Sequence, residues 1–167
     1  MIHKLCFSFS FFLFLTPLVA QTTLPVGSRA PANWTLKDVN DKVYDLKQFN
    51  GKTILLIGGD KESQETNRAW ATGSQRVCGQ QLSGLGIADV SAVPKLLRGY
   101  YRNHLRTDAT QMGVPLLLDW DGSVAKSFHF KSGVSNVFVI GTDGVISYVA
   151  AGAPSDTEIK RLCSVVK

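Results

Sequence analysis

Cysteine, histidine and acidic side chains are the groups through which this chain could do chemistry, and they are sparse. Of the three cysteines, Cys6 lies in an apolar N-terminal stretch, which leaves Cys78 and Cys163 for the folded part. Beyond that stretch the histidines are His104 and His129, and no CxxC or HxxxH spacing accompanies them. Because zinc-type sites need clustered ligands at such spacings, we predict no metal site and no cofactor.

Cys78 and Cys163 leave three interpretations open. An even pair in an oxidising compartment permits one disulfide. Two buried free thiols are the second interpretation, since Cys163 falls on the apolar stripe of a predicted helix. In the third, Cys78 is a relocated nucleophile that Cys163 resolves. Cys78 falls near the end of a predicted helix, where the helix dipole has the wrong sign to stabilise a thiolate.

The segment 51–63 reads GKTILLIGGDKES, an apolar run followed by a helix start that contains no cysteine. The run 53–57 predicts a strand that is covered on both faces. Asp60 and Glu62 could form a polar mouth that binds a ligand or a cation. Alternatively, they cap the helix, because acidic groups in a first turn offset its dipole. The residues of this junction are Gly59, Asp60, Lys61, Glu62 and Ser63.

A basic row lies on the helix predicted over residues 91–107. It could dock an acidic partner or an anionic lipid surface, or it could simply be a solvated helix face. The formal net charge of +5 is dispersed, and no Lys/Arg-rich run of the kind that binds phosphate backbones occurs, so we predict no nucleic-acid partner. The row consists of Lys95, Arg98, Arg102 and Arg106. The opposite side of the helix carries an apolar stripe, predicted to face inward, which consists of Val93, Leu96, Leu97, Tyr100, Tyr101 and Leu105.

Residues 1–20 have the pattern of a secretory signal peptide. Lys4 supplies the positive start, the stretch 7–15 is apolar, and Ala20 provides a small residue before the polar Gln21. The apolar run is shorter than the roughly 20 residues that span a bilayer. We therefore predict an exported, periplasmic or secreted domain over residues 21–167, with no transmembrane segment after cleavage. Its net charge falls to +4, because the signal holds one lysine and no acid.

Hydrophobic patterning predicts strands and helices in alternation. A hairpin is followed by strand, helix, strand, helix, strand, a short helix, a second hairpin and a last helix. Ser155 and Glu158 form a capping box that begins the last helix. This order predicts an α/β fold, a three-layer sandwich with a mixed central sheet and an N-terminal hairpin extension.

Several strings, taken in this order, resemble the thioredoxin-like superfamily, in the redoxin branch that includes peroxiredoxins and the exported TlpA-like thiol oxidoreductases. They span nearly the whole chain after residue 20. The strings are Val26-Gly27 with Ala30-Pro31, Leu46 to Gly51-Lys52, Leu116 to Gly122, and Val137-Phe138-Val139-Ile140 followed by Asp143-Gly144.

A narrower resemblance is to the exported YtfJ-type family, which looks like a thioredoxin fold without the redox motif. It rests on the junction 58–63 with Glu65 and Asn67, on the stretch 87–94 and on the final hairpin. This resemblance implies export, a monomeric or weakly associating domain, and a molecular role that is not assigned.

The chain departs from the redox-active relatives at two places. In those relatives the reactive thiol lies at the helix start after the first core strand, where the helix dipole lowers its pKa. They also carry a cis-proline before the penultimate strand, facing the thiols, and the resemblance implies that Ser135 occupies that position here. A cis peptide before a non-proline residue costs about 2.5–4 kcal/mol, so we expect a trans bond.

These departures lead to the main hypothesis, a non-redox binding or accessory protein. An unidentified protein or small ligand would bind at the degenerate active-site face, which consists of residues 59–63 together with Val134, Ser135 and Asn136. The alternative is an atypical thiol peroxidase or thiol-disulfide oxidoreductase that uses Cys78 with Cys163. A third hypothesis is an assembly role in the cell envelope, served by the basic row.

Overall fold

The computed structural model describes residues 23–79 and 82–166, and the predicted signal peptide lies outside these ranges. Within them, seven strands form one sheet and four α-helices pack on it. The strands are β1 (Thr35–Asp38), β2 (Val43–Asp45), β3 (Ile54–Gly59), β4 (Ser83–Asp89), β5 (Leu116–Asp119), β6 (Asn136–Ile140) and β7 (Ile146–Ala151); the helices are α1 (Gln64–Cys78), α2 (Arg98–Met112), α3 (Ser123–Ser127) and α4 (Asp156–Ser164).

The sheet is mixed, with the strand order β2-β1-β5-β4-β3-β6-β7. Strands β3, β4 and β5 are parallel, whereas the pairs on either side of them are antiparallel. All six residues of β3 are buried, as expected for a central strand that is covered on both faces. The predicted three-layer α/β sandwich with a mixed sheet is confirmed.

Helices cover the two faces of the sheet unequally. The connections β3–α1–β4 and β4–α2–β5 run in the same direction along the sheet, and crossovers between parallel strands are right-handed, so α1 and α2 share a face. Helix α4 packs beside α1 on that face. Helix α3 and the N-terminal segments cover the other face, around Trp34, Phe128 and Phe138.

Three parallel strands end at one edge of the sheet, and this edge positions the candidate site. Gly59 of β3 pairs with Ala88 of β4, and Asp89 pairs with Asp119 of β5. Helix α1 begins at the same edge, directly after β3. The residues that leave the carboxyl ends of parallel strands are therefore close together in space, which is where ligands bind in open α/β sheets.

Helix α2 differs from its prediction in position and in the side it buries. It begins at Arg98, after a 3₁₀ turn at Lys95–Leu97, because Pro94 lacks an N–H and disfavours a helical residue before it. It continues to Met112 and is ended by Gly113 in the left-handed conformation. The predicted inward stripe is wrong at three positions, since the exposed fractions are 94% for Leu96, 50% for Leu97 and 75% for Tyr100.

The ends of the other elements follow their local sequence signals. Ser155 caps α4, and both hydrogen bonds of the predicted capping box with Glu158 are present. Helix α1 starts at Gln64, after a 3₁₀ turn at Lys61–Ser63. In the first hairpin, Asp41 has a positive φ of 64°, a backbone conformation that Asp tolerates in turns. Among the described helices, none is long and apolar enough to cross a membrane.

Candidate functional site

The junction between β3 and α1 is closely packed against the loop that precedes β6. A Cβ added at Gly58 would overlap the ring of Phe130, and one added at Gly59 would overlap the Ser63 hydroxyl and lie 3.0 Å from the Val134 carbonyl. Glycine is needed at both positions because side chains of the loop and of the junction occupy the space that a Cβ would fill. The predicted segments 59–63 and 134–136 therefore lie side by side, in one face of the molecule.

Asp60 connects the junction to that loop. Its Oδ2 accepts a hydrogen bond from the Ser132 hydroxyl at 2.7 Å and another from the Gly133 N–H at 2.6 Å. Asp60 caps neither α1 nor the preceding 3₁₀ turn with its side chain. The Asp60 carboxylate therefore makes no capping hydrogen bond, and its hydrogen bonds hold the facing loop.

Ser63 and Ser135 are fully buried, and each anchors one side of the face. The Ser63 hydroxyl donates to the Asp60 carbonyl at 2.8 Å and accepts from Asn67 Nδ2 at 3.1 Å. The Ser135 and Thr66 hydroxyls are 2.6 Å apart. Asn136 closes the loop, donating to the carbonyls of residues 131 and 134, each at 3.0 Å. All peptide bonds in the described ranges are trans, including the one before Ser135.

A narrow pocket opens beside this face, between α1 and α2. We call it the junction pocket; its enclosed volume is about 20 Å³, room for about one water-sized group. Its polar lining comes from the junction and from both helices, and its apolar lining from β4, β5 and α2. The residues that line the pocket include Asp60, Lys61, Asn67, Arg68, Ala88, Asp89, Val90, Tyr101, Leu105, Asp108, Met112 and Leu116.

Charged residues from two helices meet at the junction pocket. Arg68 Nη2 donates to Asp108 Oδ1 at 3.0 Å, which joins α1 to α2. Burial, followed by the negative charges of Glu62, Asp108 and Asp60, raises the pKa of Tyr101. The electrostatic environment of this tyrosine is thus dominated by carboxylates. Glu62 and Lys61 are themselves exposed.

A carboxyl with a raised pKa lies at the end of β5. Asp119 is fully buried, and burial is the main reason that its pKa is raised to about 6. One carboxyl oxygen, Oδ2, accepts from the Ala125 N–H at 2.8 Å, which lowers the pKa, whereas the nearby Asp121 and Asp89 raise it. Asp121 itself has a lowered pKa because the Ser123 side chain and backbone donate to it.

The two cysteines lie at the opposite end of α1. Cys78, the last residue of that helix, is joined by a disulfide to Cys163 of α4, with a Cα–Cα distance of 5.2 Å. Both residues are half-buried. Helix α1 has 15 residues, so at 1.5 Å per residue the disulfide lies about 21 Å along the axis from the junction.

The arginines of the basic row contact other parts of this chain. Arg98 lies over the ring of Trp120, with its guanidinium carbon 4.9 Å from the ring centroid, and donates to the Trp120 carbonyl at 3.2 Å. Arg102 donates to both carboxylate oxygens of Asp41 at 2.9 Å. Arg106 donates to the carbonyl of residue 39 at 3.1 Å. These contacts attach α2 to the first hairpin and to the end of β5.

The two histidines lie apart from the junction pocket. His104 is exposed on α2, and His129 follows α3 in a left-handed conformation with φ of 53°. Within residues 23–79 and 82–166, no group of three His, Cys, Asp or Glu side chains is placed to hold a metal ion.

Reasoning from the sequence missed the residues that make the junction pocket polar, namely Asn67, Arg68, Tyr101 and Asp108. One signal for them was present. Residues 101, 105, 108 and 112 share one stripe of α2, and a carboxylate among apolar residues at that spacing marks a polar group turned towards the core.

No protein-family model matches this chain, and no curated protein matches it. Solved structures do match. The thioredoxin domain of a thiol-disulfide oxidoreductase from Bacteroides vulgatus has a TM-score of 0.63 at 17% identity, covering 87% of this chain and 100% of that chain. The exposed lipoprotein thioredoxin of Streptococcus pneumoniae has a TM-score of 0.63 at 15% identity, covering 78% and 97%.

A third similar structure is a thiol:disulfide interchange protein of the thioredoxin family from Chlorobium tepidum, with a TM-score of 0.61 at 16% identity, covering 84% of this chain and 96% of that chain. At such identities the likeness shows the fold alone. The protein has a thioredoxin-like fold, as the resemblance predicted.

Proposed function

We propose that this chain is an exported thioredoxin-fold protein that binds a ligand or a partner at the degenerate active-site face and does no thiol-disulfide exchange there. One observation carries the proposal. The junction that relatives use for a reactive thiol holds Asp60 to Ser63, and the Asp60 carboxylate bonds to Ser132 and Gly133 of the facing loop. Neither a carboxylate nor a buried hydroxyl can exchange with a disulfide.

The position of the disulfide supports the same conclusion. Cys78 ends α1, and the C-terminal end of a helix carries the partial negative charge that disfavours a thiolate. The bond links α1 to α4, which already pack against each other through Trp70, Ile159 and Leu162. In this position the cystine serves as a covalent support of the helical layer.

Export and the branch of the superfamily belong to the proposal. A structural disulfide persists in oxidising compartments and is rare in reducing ones. The pneumococcal protein of similar fold is an exposed lipoprotein. The signal-peptide pattern over residues 1–20 and the YtfJ-type strings at the junction point the same way. Mass spectrometry of the protein from its native source is the check, with Gln21 as the expected first residue.

Thiol-disulfide exchange is the activity to test first. The experiment is reduction of insulin by dithiothreitol, with a redox-active thioredoxin as the positive control and no protein as the blank. We expect a rate equal to the blank. Turnover well above the blank would overturn the proposal.

An atypical thiol oxidoreductase is the second candidate, and the observation in its favour is that the Cys78–Cys163 disulfide is half-buried and not sealed in the core. It requires Cys78 to alkylate rapidly at neutral pH after mild reduction, and Cys78→Ser to abolish activity. A disulfide that resists mild reductant in the native protein would exclude this candidate.

A partner that binds the basic row would displace contacts that its arginines already make within the chain. An acidic partner would have to compete with Asp41 for Arg102 and with Trp120 for Arg98. Pull-down assays with Arg98→Glu and Arg102→Glu separate such an assembly role from ligand binding at the degenerate active-site face.

A further inference from the structure

The junction pocket contains an unusual concentration of polar atoms without partners. Within the described part of the chain, four buried atoms of its lining make no hydrogen bond: Asp60 Oδ1, Asn67 Oδ1, Asp108 Oδ2 and Arg68 Nε. Buried polar atoms in native proteins nearly always make hydrogen bonds, because an unpaired one loses its hydrogen bonds to water and gains none in the protein. Four such atoms around one pocket indicate a group that bonds there.

Asn67 is the most informative of these residues. It is 8% exposed, and its Nδ2 already donates to the Ser63 hydroxyl, so its orientation is fixed and its Oδ1 is the atom left without a donor. Asp60 Oδ2 and Asp108 Oδ1 are likewise engaged, with the loop and with Arg68. Three of the four unpaired atoms are therefore acceptor oxygens, which need hydrogen-bond donors, and the fourth, Arg68 Nε, is itself a donor.

The charge and the size of the pocket narrow the chemical class of the ligand that could bond there. Three carboxylates line the pocket, those of Asp60, Asp89 and Asp108, against two cations, Lys61 and Arg68. The enclosed volume of about 20 Å³ accommodates about one water-sized group. An ammonium has that size and carries three donors, whereas a guanidinium is planar, larger and carries five.

The lining beyond the acceptors is apolar, through Ala88, Val90, Leu105, Met112 and Leu116. An ammonium in the pocket would lie beside this apolar surface, which suits the first methylene group of an amine, as lysine stems lie along apolar surface while the charged head stays bonded.

We propose that the junction pocket binds the protonated amino group of an aliphatic primary amine, with Asp60, Asn67 and Asp108 as acceptors. The proposal rests on the proposed function, since it names the ligand class of that binding site. The carboxylates that raise the pKa of Tyr101 would also attract a bound cation.

The test is binding of n-butylammonium at pH 7, measured by the chemical shifts of the backbone amides of residues 60–68, with butan-1-ol as the neutral probe of equal length. We expect the amine to bind and the alcohol to bind at least tenfold more weakly. Asp108→Asn should weaken amine binding at least tenfold. Asp41→Asn is the matched control, because Asp41 also pairs with an arginine, Arg102, but lies outside the pocket, and it should leave binding unchanged.

A second pair of variants covers the case in which Asp108→Asn does not fold. Asn67→Leu removes an acceptor at similar volume and should weaken binding at least threefold, whereas Asn103→Leu, on an exposed part of α2, should not. The proposal fails if butan-1-ol binds as well as the amine, if millimolar amine does not bind, or if both aspartate variants have the same effect.

Two further experiments distinguish a partner's lysine from a free amine, and the ligand class from the binding function as a whole. A lysine-containing peptide that binds over tenfold more tightly than butylammonium identifies a partner's lysine; equal binding identifies a free alkylamine. The insulin assay reads thiol chemistry alone. Failure of amine binding with no insulin reduction removes the ligand class and leaves the binding function, whereas insulin reduction removes the binding function itself.

Discussion

At its N-terminal end, helix α1 meets a carboxylate, a buried serine and a pocket with unpaired acceptors; at its C-terminal end, a disulfide joins it to α4. The N-terminal end, which we call the open end, is held by hydrogen bonds from several elements and has polar atoms without partners. The C-terminal end, which we call the closed end, is held by a covalent bond. Reactive sulfur needs the positive end of the helix dipole, and this chain places its sulfur at the other end, where a bond supports the fold.

Removal of the disulfide tests the closed end and has the largest expected effect. The Cys78→Ser/Cys163→Ser variant should have a free energy of unfolding about 4 kcal/mol lower than that of the wild type. The reason is that the bond joins residues 85 positions apart, so its removal raises the conformational entropy of the unfolded chain. Urea unfolding measures the difference. Wild-type protein in strong reductant is the control and should match the variant; a loss below about 1 kcal/mol would mean that packing of α1 on α4 suffices without the bond.

Replacement of Asp119, which pairs with the pocket residue Asp89, tests the sheet edge beside the open end through pH. Its pKa is raised to about 6 from an ordinary value of 3.8, so the neutral carboxyl favours the folded state. The contribution is complete below pH 3.8 and is lost as pH rises through about 6, by about 3 kcal/mol in total. Asp119→Asn should therefore be more stable than the wild type at pH 7.

The Asp119→Asn comparison has its own internal control. At pH 3.5 the two proteins should have nearly equal free energies of unfolding, because Asp119 is then protonated in the folded state and mostly protonated in the unfolded state. An equal difference at both pH values would show that the substitution acts through packing and that the carboxyl is not the titrating group.

Removal of the Asp60 carboxylate tests how the open end is held together. Asp60→Ala loses the hydrogen bonds from Ser132 and Gly133, and since both are partly exposed we expect about 1 kcal/mol of destabilisation. The Gly133 amide should exchange with solvent faster. Asp60→Asn keeps an acceptor and should protect the Gly133 amide more than Asp60→Ala does; equal exchange in the two variants would contradict the contact.

What the sequence predicted here is what local patterning and short-range chemistry determine. The buried run before Gly59, the capping box at Ser155 and the strand–helix alternation are all local signals, and each was confirmed. The start of α2 was placed too early because apolar spacing was given more weight than Pro94, which acts on the backbone directly.

The site was harder to predict because its contacts join residues that are distant in sequence. Asp60 bonds to a loop 73 residues away, and Arg68 bonds to Asp108 across 40 residues. Acids in a first turn normally act on the helix dipole, so capping was the natural interpretation of Asp60. The disulfide was one of three open alternatives for the same reason, since spacing alone does not say whether two half-buried thiols meet.

The smallest expected effect comes from moving sulfur to the open end. Asp60→Cys with Ser63→Cys creates the two-residue spacing of a redox dithiol at the start of α1, with the first position half-buried and the second buried, as Asp60 and Ser63 are now. The helix dipole should lower the pKa of the outer thiol. We expect insulin reduction about threefold above the wild type, equivalent to about 0.7 kcal/mol of barrier. Each single variant is a control that lacks a resolving partner and should remain at the blank rate. A double variant no faster than the singles would show that this junction cannot support thiol exchange, and that the two ends of α1 differ by more than the placement of sulfur.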